Sequence, residues 1–204
     1  MRTLLLPASS DENLRRASEV LRQGGLVAFP TDTVYGLGAL AFNDAAVRSI
    51  YQAKGRPSDK ALPVLLSSVA DIDLVATSIG DSALRLARRF WPGPLTLVVP
   101  KNDRVPEAVA GATVGIRVPD HLTARVLLGL AGPLAVSSAN QSGSESPVTA
   151  AGALEQLEGR VEIILDGGAS PGGIPSTVVD CTGDELVIVR EGPLTLRELQ
   201  AALI

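Results

Sequence analysis

Residues 26–38 read Leu-Val-Ala-Phe-Pro-Thr-Asp-Thr-Val-Tyr-Gly-Leu-Gly. The first four form a continuous apolar run, which is typical of a strand covered on both faces. Before this run, the apolar stripe Leu14, Ala17, Val20 and Leu21 predicts a helix that stops at Gly24-Gly25, with Ser9 and Glu12 as its capping box. Loops that leave strands of such scaffolds usually carry the binding sites. The polar stretch that begins at Pro30 is therefore a candidate site loop.

The same alternation of short apolar runs and helical stretches continues along the chain. Strands are predicted at 26–29, 62–66, 95–99, 114–118, 134–136, 161–165, 177–179 and 186–189. Helices are predicted at 44–53, 81–90, 121–130 and 149–157, and Thr195 with Glu198 predicts the start of a last helix. This alternation predicts an α/β fold.

The composition is that of a globular protein with an aliphatic core: 46% of the 204 residues are hydrophobic and 3% are aromatic. The chain has the length of one large domain or two small ones. A single cysteine excludes an intrachain disulfide, and the apolar start is too short for a signal peptide. No apolar run reaches the roughly 18 residues of a membrane span. We therefore expect a cytoplasmic protein without a membrane partner.

The sequence lacks the residues that several common types of binding site and active site require. There is no Gly-x-x-x-x-Gly-Lys-Ser/Thr, so an ATP site here is not a P-loop. The only histidine, His121, and the only cysteine, Cys181, leave no metal cluster. They could form a dyad, but a buried thiol at the end of an apolar strand explains Cys181 better. Gly36-x-Gly38-x-x-Ala41 matches a relaxed dinucleotide fingerprint, yet no tight strand–glycine–helix turn fits it.

Cations and hydroxyls cluster in the loops. Lys54, Arg56 and Lys60 lie within seven residues of one another, and a guanidinium with two ammonium groups suits a triphosphate. The alternative is a solvated surface loop. Ser138-x-Asn140 and Ser176-Thr177 offer neutral groups at strand ends that suit a ribose, a phosphate or an amino acid, although each is also a common turn sequence.

One arginine lies inside a predicted strand, and another directly follows one. Arg117 follows Gly115-Ile116, and Arg190 follows Ile188-Val189. A cation in an apolar strand is costly unless it is paired or faces a ligand. Each is therefore either salt-bridged to an acid such as Asp166 or Asp180, or part of an anion site.

Together, these loops resemble the YrdC-like family. The resemblance rests on six segments in one order: Pro-Thr-Asp-Thr-Val-Tyr-Gly-Leu-Gly (30–38), Lys-Gly-Arg-Pro (54–57), Trp-Pro-Gly-Pro-Leu-Thr (91–96), Gly-Ile-Arg-Val-Pro (115–119), Ser-Ala-Asn-Gln-Ser-Gly (138–143) and Ser-Thr-Val-Val-Asp (176–180). It implies one YrdC-like domain over residues 1–204, without the C-terminal domain of longer relatives. The implied fold is a twisted, open, mixed sheet with helices around a concave, positively charged cleft.

The resemblance also implies an activity. The family makes L-threonylcarbamoyladenylate from L-threonine, bicarbonate and ATP, releases pyrophosphate, and so feeds the threonylcarbamoyl modification of adenosine in tRNA. We therefore expect a nucleotidyltransferase that uses ATP with Mg²⁺ as a substrate. The expected partners are tRNA threonylcarbamoyl transferase proteins downstream, and tRNA or double-stranded RNA.

Residues carried over by motif give an expected site. ATP is expected to contact Lys54, Arg56, Lys60, Thr113, Ser138, Asn140 and Arg190. Of these, Lys54 and Arg56 are expected to be catalytic. Threonine is expected to contact Thr33, Arg117 and Ser176, and no protein metal ligand is implied. Some members also carry a histidine in the strand after the Lys-x-Arg loop, and residues 63–66 have none.

Three other functions remain open. A non-catalytic module that binds double-stranded RNA or tRNA would suit a concave basic cleft, but the net charge of −4 and the few aromatic residues argue mildly against it. The carbamoyl-transferring domain of hydrogenase maturation proteins comes with zinc-finger and acylphosphatase-like regions that do not fit here. A regulatory, partner-binding protein is the third alternative.

Overall fold

The computed structural model describes residues 2–203, in which ten strands form one sheet. The strands are β1 (Leu4–Pro7), β2 (Val27–Phe29), β3 (Gly36–Leu40), β4 (Val64–Leu65), β5 (Leu95–Pro100), β6 (Thr113–Arg117), β7 (Leu134–Ser138), β8 (Ile163–Asp166), β9 (Thr177–Asp180) and β10 (Val187–Arg190). Their order across the sheet is β1-β8-β2-β3-β7-β4-β6-β5-β9-β10.

The sheet is mixed. β2 runs parallel to β8 and antiparallel to β3, while β6 runs parallel to β4 and antiparallel to β5. The helices are α1 (Asp11–Arg22), α2 (Asp44–Lys54), α3 (Asp81–Phe90), α4 (Leu122–Ala131), α5 (Ala150–Leu157) and α6 (Leu196–Ala201). The α/β class and the mixed open sheet that the sequence predicts are confirmed.

Helices cover both faces of the sheet. On one face, α1 and α4 pack Leu21 and Leu127 against Phe29 of β2. On the other, α2 and α3 contribute Ile50 and Leu86 to a larger cluster. Burial of such side chains supplies the main favourable free energy of folding. Within residues 2–203 no helix combines the length and apolarity needed to cross a bilayer.

The sequence did not predict β1 and β3. The glycines of β3 had indicated a loop. They lie instead in the interior of the sheet, where neighbouring side chains leave no room for a Cβ. A Cβ on Gly36 would lie 2.8 Å from Cγ1 of Val136, and one on Gly38 would lie 2.9 Å from Cε1 of Phe29. This placement also excludes the dinucleotide fingerprint. At α1 the predicted cap is one residue early: Ser10, rather than Ser9, accepts from a helix N–H.

The register of the strands gathers the motif-bearing ends at one edge of the sheet. Gly36 lies opposite Ser138, Leu65 opposite Arg117, and Leu95 opposite Thr177. The loops that leave or enter these positions therefore meet over the same edge. This arrangement builds a cleft from segments that are far apart in the sequence.

Candidate active site

A cavity of about 180 Å³ lies where these strand ends meet. Its polar lining consists of hydroxyl and guanidinium groups, from Thr31, Thr33, Arg56, Thr96, Arg117, Ser137, Ser138, Ser176 and Arg190. The apolar lining includes Val34, Leu65 and Val136. Six of the predicted site residues therefore converge on one cavity. Thr31 and Thr96 also line it; both lie in segments that carry the resemblance, but their roles were not predicted.

Arg117 forms the floor of this cavity, at the end of β6. Its Nε donates to the carbonyl of Gly93 (2.9 Å), its Nη1 donates to Oγ1 of Thr33 (3.1 Å), and its Nη2 donates to Oδ1 of Asp32. A guanidinium has five N–H donors. One N–H therefore remains on each terminal nitrogen, which is the fork that a carboxylate accepts.

The acid that pairs with Arg117 is Asp32, so the sequence prediction of Asp166 or Asp180 is wrong for this arginine. The two side chains are 6% and 10% exposed, which makes this a buried ion pair. Burial lowers the pKa of Arg117, and the charge and hydrogen bond of Asp32 oppose that shift. Asp32 lies between the two threonines of the 30–38 motif, and this position was the feature of the sequence that could have indicated its role in the site.

Arg190 reaches the cavity from the edge strand β10. Its Nε and Nη2 donate to the carbonyl of Ser176 (3.1 and 2.7 Å), and Nη2 also donates to the Ser176 hydroxyl (3.0 Å). That hydroxyl also bonds the hydroxyl of Thr96 (2.8 Å). No carboxylate of the described residues forms a salt bridge with Arg190. Burial lowers its pKa, and the positive charges of Arg117 and Arg56 add to that shift.

Arg56 is the third cation of the cavity and the least constrained. Its Nη2 donates to the carbonyls of Lys60 and Ala61 at 3.4 and 3.3 Å, which are long hydrogen bonds. Its Nε is buried and has no hydrogen-bond partner in residues 2–203. A guanidinium so weakly held is suited to an anionic ligand.

Comparison with known proteins agrees with this geometry. A family model covering Sua5, YciO and YrdC proteins, described as "telomere recombination", matches residues 19–192. The chain belongs to the Sua5/YciO/YrdC family. It is 45% identical over 193 residues to the threonylcarbamoyl-AMP synthase of Pyrococcus abyssi, and this match covers 93% of the chain and 57% of that relative. It is 42% identical over 200 residues to the same-named enzyme of Bacillus subtilis, with 96% and 58% covered.

Solved structures of the Sua5/YciO/YrdC family have the same fold. P. abyssi Sua5 complexed with L-threonine superimposes with a TM-score of 0.96 at 42% identity, covering 98% of this chain and 61% of that one. Escherichia coli YciO gives 0.84 at 25% identity, covering 97% and 99%. The chain thus spans somewhat less than two thirds of the P. abyssi and B. subtilis proteins.

Lys54, although part of the Lys-x-Arg motif of this Sua5/YciO/YrdC chain, does not line the cavity. It is the last residue of α2 and is only 3% exposed. Its Nζ donates to the carbonyls of Ser138 and Asn140, and Oδ1 of Asn140 lies 3.4 Å away. The ammonium group therefore fixes the loop behind Ser138. Its direct contact with ATP stays a prediction.

The side chain of Asn140, like that of Lys54, is bound within the loop that follows β7. Its amide nitrogen donates to the carbonyls of Gln141 (2.7 Å) and Ser144 (2.8 Å), so both of its donors are engaged inside the loop. Lys60 is exposed on the loop that follows α2. Thr113 lies at the other end of β6, on the same face as Arg117 and about 13 Å away, at 3.3 Å per residue. These three residues are not part of the cavity lining.

The cysteine and the acidic residues of the described chain do not contribute to the cavity lining. Burial, with the charge of Asp180, raises the pKa of Cys181 to about 12, and this thiol lies outside the cavity. Within residues 2–203, histidine, cysteine and acidic residues nowhere form a group of three or more that could hold a metal ion. The cavity lining of guanidinium and hydroxyl groups is suited to anionic and polar ligands.

Proposed function

We propose that this chain catalyses the synthesis of L-threonylcarbamoyladenylate from L-threonine, bicarbonate and ATP, with release of pyrophosphate. The observation that carries this proposal is that one cavity holds guanidinium groups of two kinds. Arg117 is paired with Asp32, which gives a locally neutral, strongly polar ion pair. Arg56 and Arg190 line the same cavity and form no salt bridge with any carboxylate of the described residues. A neutral ion pair suits a zwitterionic amino acid, and uncompensated cations suit a triphosphate.

Threonine binds beside Arg117 in this proposal. The two remaining N–H groups of Arg117 donate to its carboxylate as a fork. The hydroxyls of Thr33 and Ser176 lie on the same lining and hydrogen-bond its polar groups. The relative whose solved structure contains L-threonine shares this fold at high similarity, which supports the assignment.

ATP binds beside Arg56 and Arg190, with Ser138 beside its phosphates or ribose. Among residues 2–203 no carboxylate lines the cavity, so these residues offer no strong ligand set for a resident magnesium ion. Mg²⁺ is expected to arrive as part of the ATP substrate, where it neutralises phosphate charge. The protein itself contributes the two guanidinium groups.

The reaction requires positioning rather than a protein nucleophile. The ammonium form of threonine and bicarbonate give a carbamate, one water molecule and one proton. A carbamate oxygen then attacks the α-phosphorus of ATP, and the bond between that phosphorus and the bridging oxygen to the β-phosphorus breaks, so pyrophosphate leaves. Arg56 and Arg190 stabilise the charge on the transferred group and the leaving group. Because the carbamate is labile, we expect the bound substrates to limit access of water to it.

The proposal also covers the cellular location of the reaction, its partners and the domain organisation of the chain. We propose that the reaction takes place in the cytoplasm and that the product passes to tRNA threonylcarbamoyl transferase proteins, with tRNA or double-stranded RNA as a further ligand. We also propose that residues 1–204 act as one domain. The continuous ten-stranded sheet supports this, because the cavity draws on strands from both halves of it.

The direct test is pyrophosphate release by the purified chain with MgATP. The expected result is release that requires both threonine and bicarbonate and yields threonylcarbamoyl-AMP by mass spectrometry. Arg56→Ala should lower kcat about 10²–10³-fold, as removal of one transition-state donor does elsewhere. Release that is independent of threonine, or salt-sensitive RNA binding without any ATP turnover, would overturn the proposal in favour of another function.

A further inference from the structure

Thr31 lines the cavity, but the proposed reaction gives its side chain no role. The residue is 3% exposed, and its hydroxyl takes part in three hydrogen bonds. It donates to the carbonyl of Val34 (2.7 Å), accepts from the backbone N–H of Thr33 (3.2 Å), and bonds the hydroxyl of Thr33 (3.0 Å). A hydroxyl has one proton and two lone pairs, so these three bonds use its whole capacity.

The contacts of Thr31 also decide the direction of its bond with Thr33. The carbonyl of Val34 can only accept, so the one proton of Thr31 is committed to it. In the bond between the two hydroxyls, the proton must therefore come from Thr33. The hydroxyl of Thr33 also accepts from Nη1 of Arg117 at 3.1 Å. Its proton and one lone pair are thus in use, and a single lone pair remains for a ligand.

We propose that Thr31 is a positioning residue of the amino-acid subsite, which makes the hydroxyl of Thr33 a hydrogen-bond acceptor for the substrate. This inference rests on the proposed function, because it takes threonine as the ligand beside Arg117 and Thr33. A lone pair cannot bind a carboxylate, which itself only accepts. Thr33 therefore receives an N–H or O–H donor of threonine, from its ammonium group or its side-chain hydroxyl, while Arg117 receives the carboxylate.

The benefit of this arrangement is that the acceptor is in place before the substrate binds. A hydroxyl that rotates freely presents either its proton or a lone pair, and binding a donor then requires that it be turned. Here Thr31 and Arg117 both hold the hydroxyl of Thr33, whose side chain is 2% exposed. The side chain of a threonine is also stiff about χ1. Such preorganisation lowers the cost of binding.

Two variants and two substrate analogues test the inference. Thr31→Val keeps the shape of the side chain but removes the hydroxyl, so the proton of Thr33 loses its acceptor and can turn towards the cavity. Thr31→Ser keeps the hydroxyl and should restore wild-type binding. Among the ligands, L-valine replaces the side-chain hydroxyl of threonine by a methyl group, and (R)-3-hydroxybutanoate lacks its ammonium group.

The measurement is ligand binding by calorimetry without ATP, with displacement titrations for the weaker ligands. We expect Thr31→Val to bind threonine about five- to tenfold more weakly, which corresponds to one hydrogen bond. Its preference for threonine over one analogue should shrink by the same factor, because that analogue lacks the donor that Thr33 receives. A smaller preference over L-valine identifies the hydroxyl as this donor, and a smaller preference over (R)-3-hydroxybutanoate identifies the ammonium group.

Thr3→Val is the matched control. Thr3 is 7% exposed, and its hydroxyl donates to the carbonyl of Val161 (2.7 Å) and accepts from the N–H of Gly159 (2.9 Å), outside the cavity. This variant loses the same two kinds of backbone contact as Thr31→Val. It should lower the melting temperature to a similar extent but leave all three affinities unchanged.

The analogues separate a positioning role of Thr31 from a purely structural one. If Thr31→Val weakens threonine and both analogues by one common factor, or leaves all three affinities unchanged, Thr31 does not act through Thr33 and the inference alone is refuted. A change of preference in Thr3→Val would contradict it as well. If the wild-type chain does not bind threonine at all, the proposed function fails, and this inference fails with it.

Discussion

Lys54 gives the sharpest test of how the structure assigns roles within the Lys-x-Arg motif. Replacing it by methionine keeps the length of the side chain but removes the ammonium group. The carbonyls of Ser138 and Asn140 then lose their donor in a place that is nearly closed to water. Two buried carbonyls without partners cost about 1–3 kcal/mol each, and relief from burying a charge offsets part of this.

We therefore expect Lys54→Met to lower the free energy of unfolding by about 2–4 kcal/mol. For a domain of this size each kcal/mol corresponds to about 2–4 °C, so the melting temperature should fall by roughly 5–15 °C. The loop from Ser138 to Asn140 borders the cavity, so the KM for ATP should rise as well. Urea denaturation followed by circular dichroism, together with pyrophosphate release, measures both effects.

The pH dependence of stability adds a second signature. Burial and the charge of Arg56 lower the pKa of Lys54 from 10.5 to about 8. Between these two values the unfolded chain holds a proton that the native chain has lost. The free energy of unfolding should therefore gain a positive contribution as pH rises through this window. Lys54→Met should lack that contribution, and the difference between the two proteins isolates it from other titrating groups.

Arg56→Met is the matched control for this prediction. Arg56 makes only long hydrogen bonds to backbone carbonyls, so its loss should change stability by no more than about 1 kcal/mol while turnover falls steeply. If Lys54→Met instead keeps the wild-type melting temperature and impairs only ATP use, as Arg56→Met does, then Lys54 contacts ATP directly and the structural reasoning is wrong.

Three further predictions concern different parts of the molecule. Arg117→Lys removes the guanidinium fork, so kcat/KM for threonine should fall about a hundredfold while the KM for ATP changes little; equal effects on both substrates would count against the division of the cavity. Gly38→Val should cost about 1–3 kcal/mol in urea denaturation because its Cβ meets Phe29 at 2.9 Å, whereas Gly111→Ala, with nothing within 4 Å, should be nearly neutral. Cys181, with its pKa raised to about 12, should react with iodoacetamide at pH 8 at least about a hundredfold more slowly in the native than in the unfolded protein, as thiol counting over time would show.

Much of the fold follows from local patterns in the sequence. Apolar runs marked β5, β6 and β8 because strands buried on both faces need continuous hydrophobic residues. β3 was missed because Gly36 and Gly38 are required by contacts with residues on neighbouring strands, not by local backbone preference. Such contacts involve residues roughly 100 positions away in the case of Val136. Local periodicity contains no information about them.

The sequence indicated which loops meet at the cavity, but not the direction of their side chains. Lys54 and Arg56 are two residues apart, yet one is buried behind the cavity and the other lines it. The reason is Gly55, whose left-handed conformation (φ +59°) ends α2 and turns the chain between them. Asp32 and Arg117 are 85 residues apart. A sequence can show that a strand arginine needs a partner, but the choice among distant acids is made by the sheet register.

The charge of the whole chain and the charge of its cavity are separate quantities. The formal net charge is −4, yet the part of the chain that the structure describes lines the cavity with three guanidinium groups and no carboxylate. Burial and repulsion by Arg117 and Arg56 lower the pKa of Arg190, so the three guanidinium groups destabilise one another's charge in the cavity. A polyanion between these groups relieves that repulsion, whereas an amino acid, which is neutral overall, does not. In the proposed function, this difference favours ATP beside Arg56 and Arg190, and threonine beside Arg117, whose charge Asp32 already compensates.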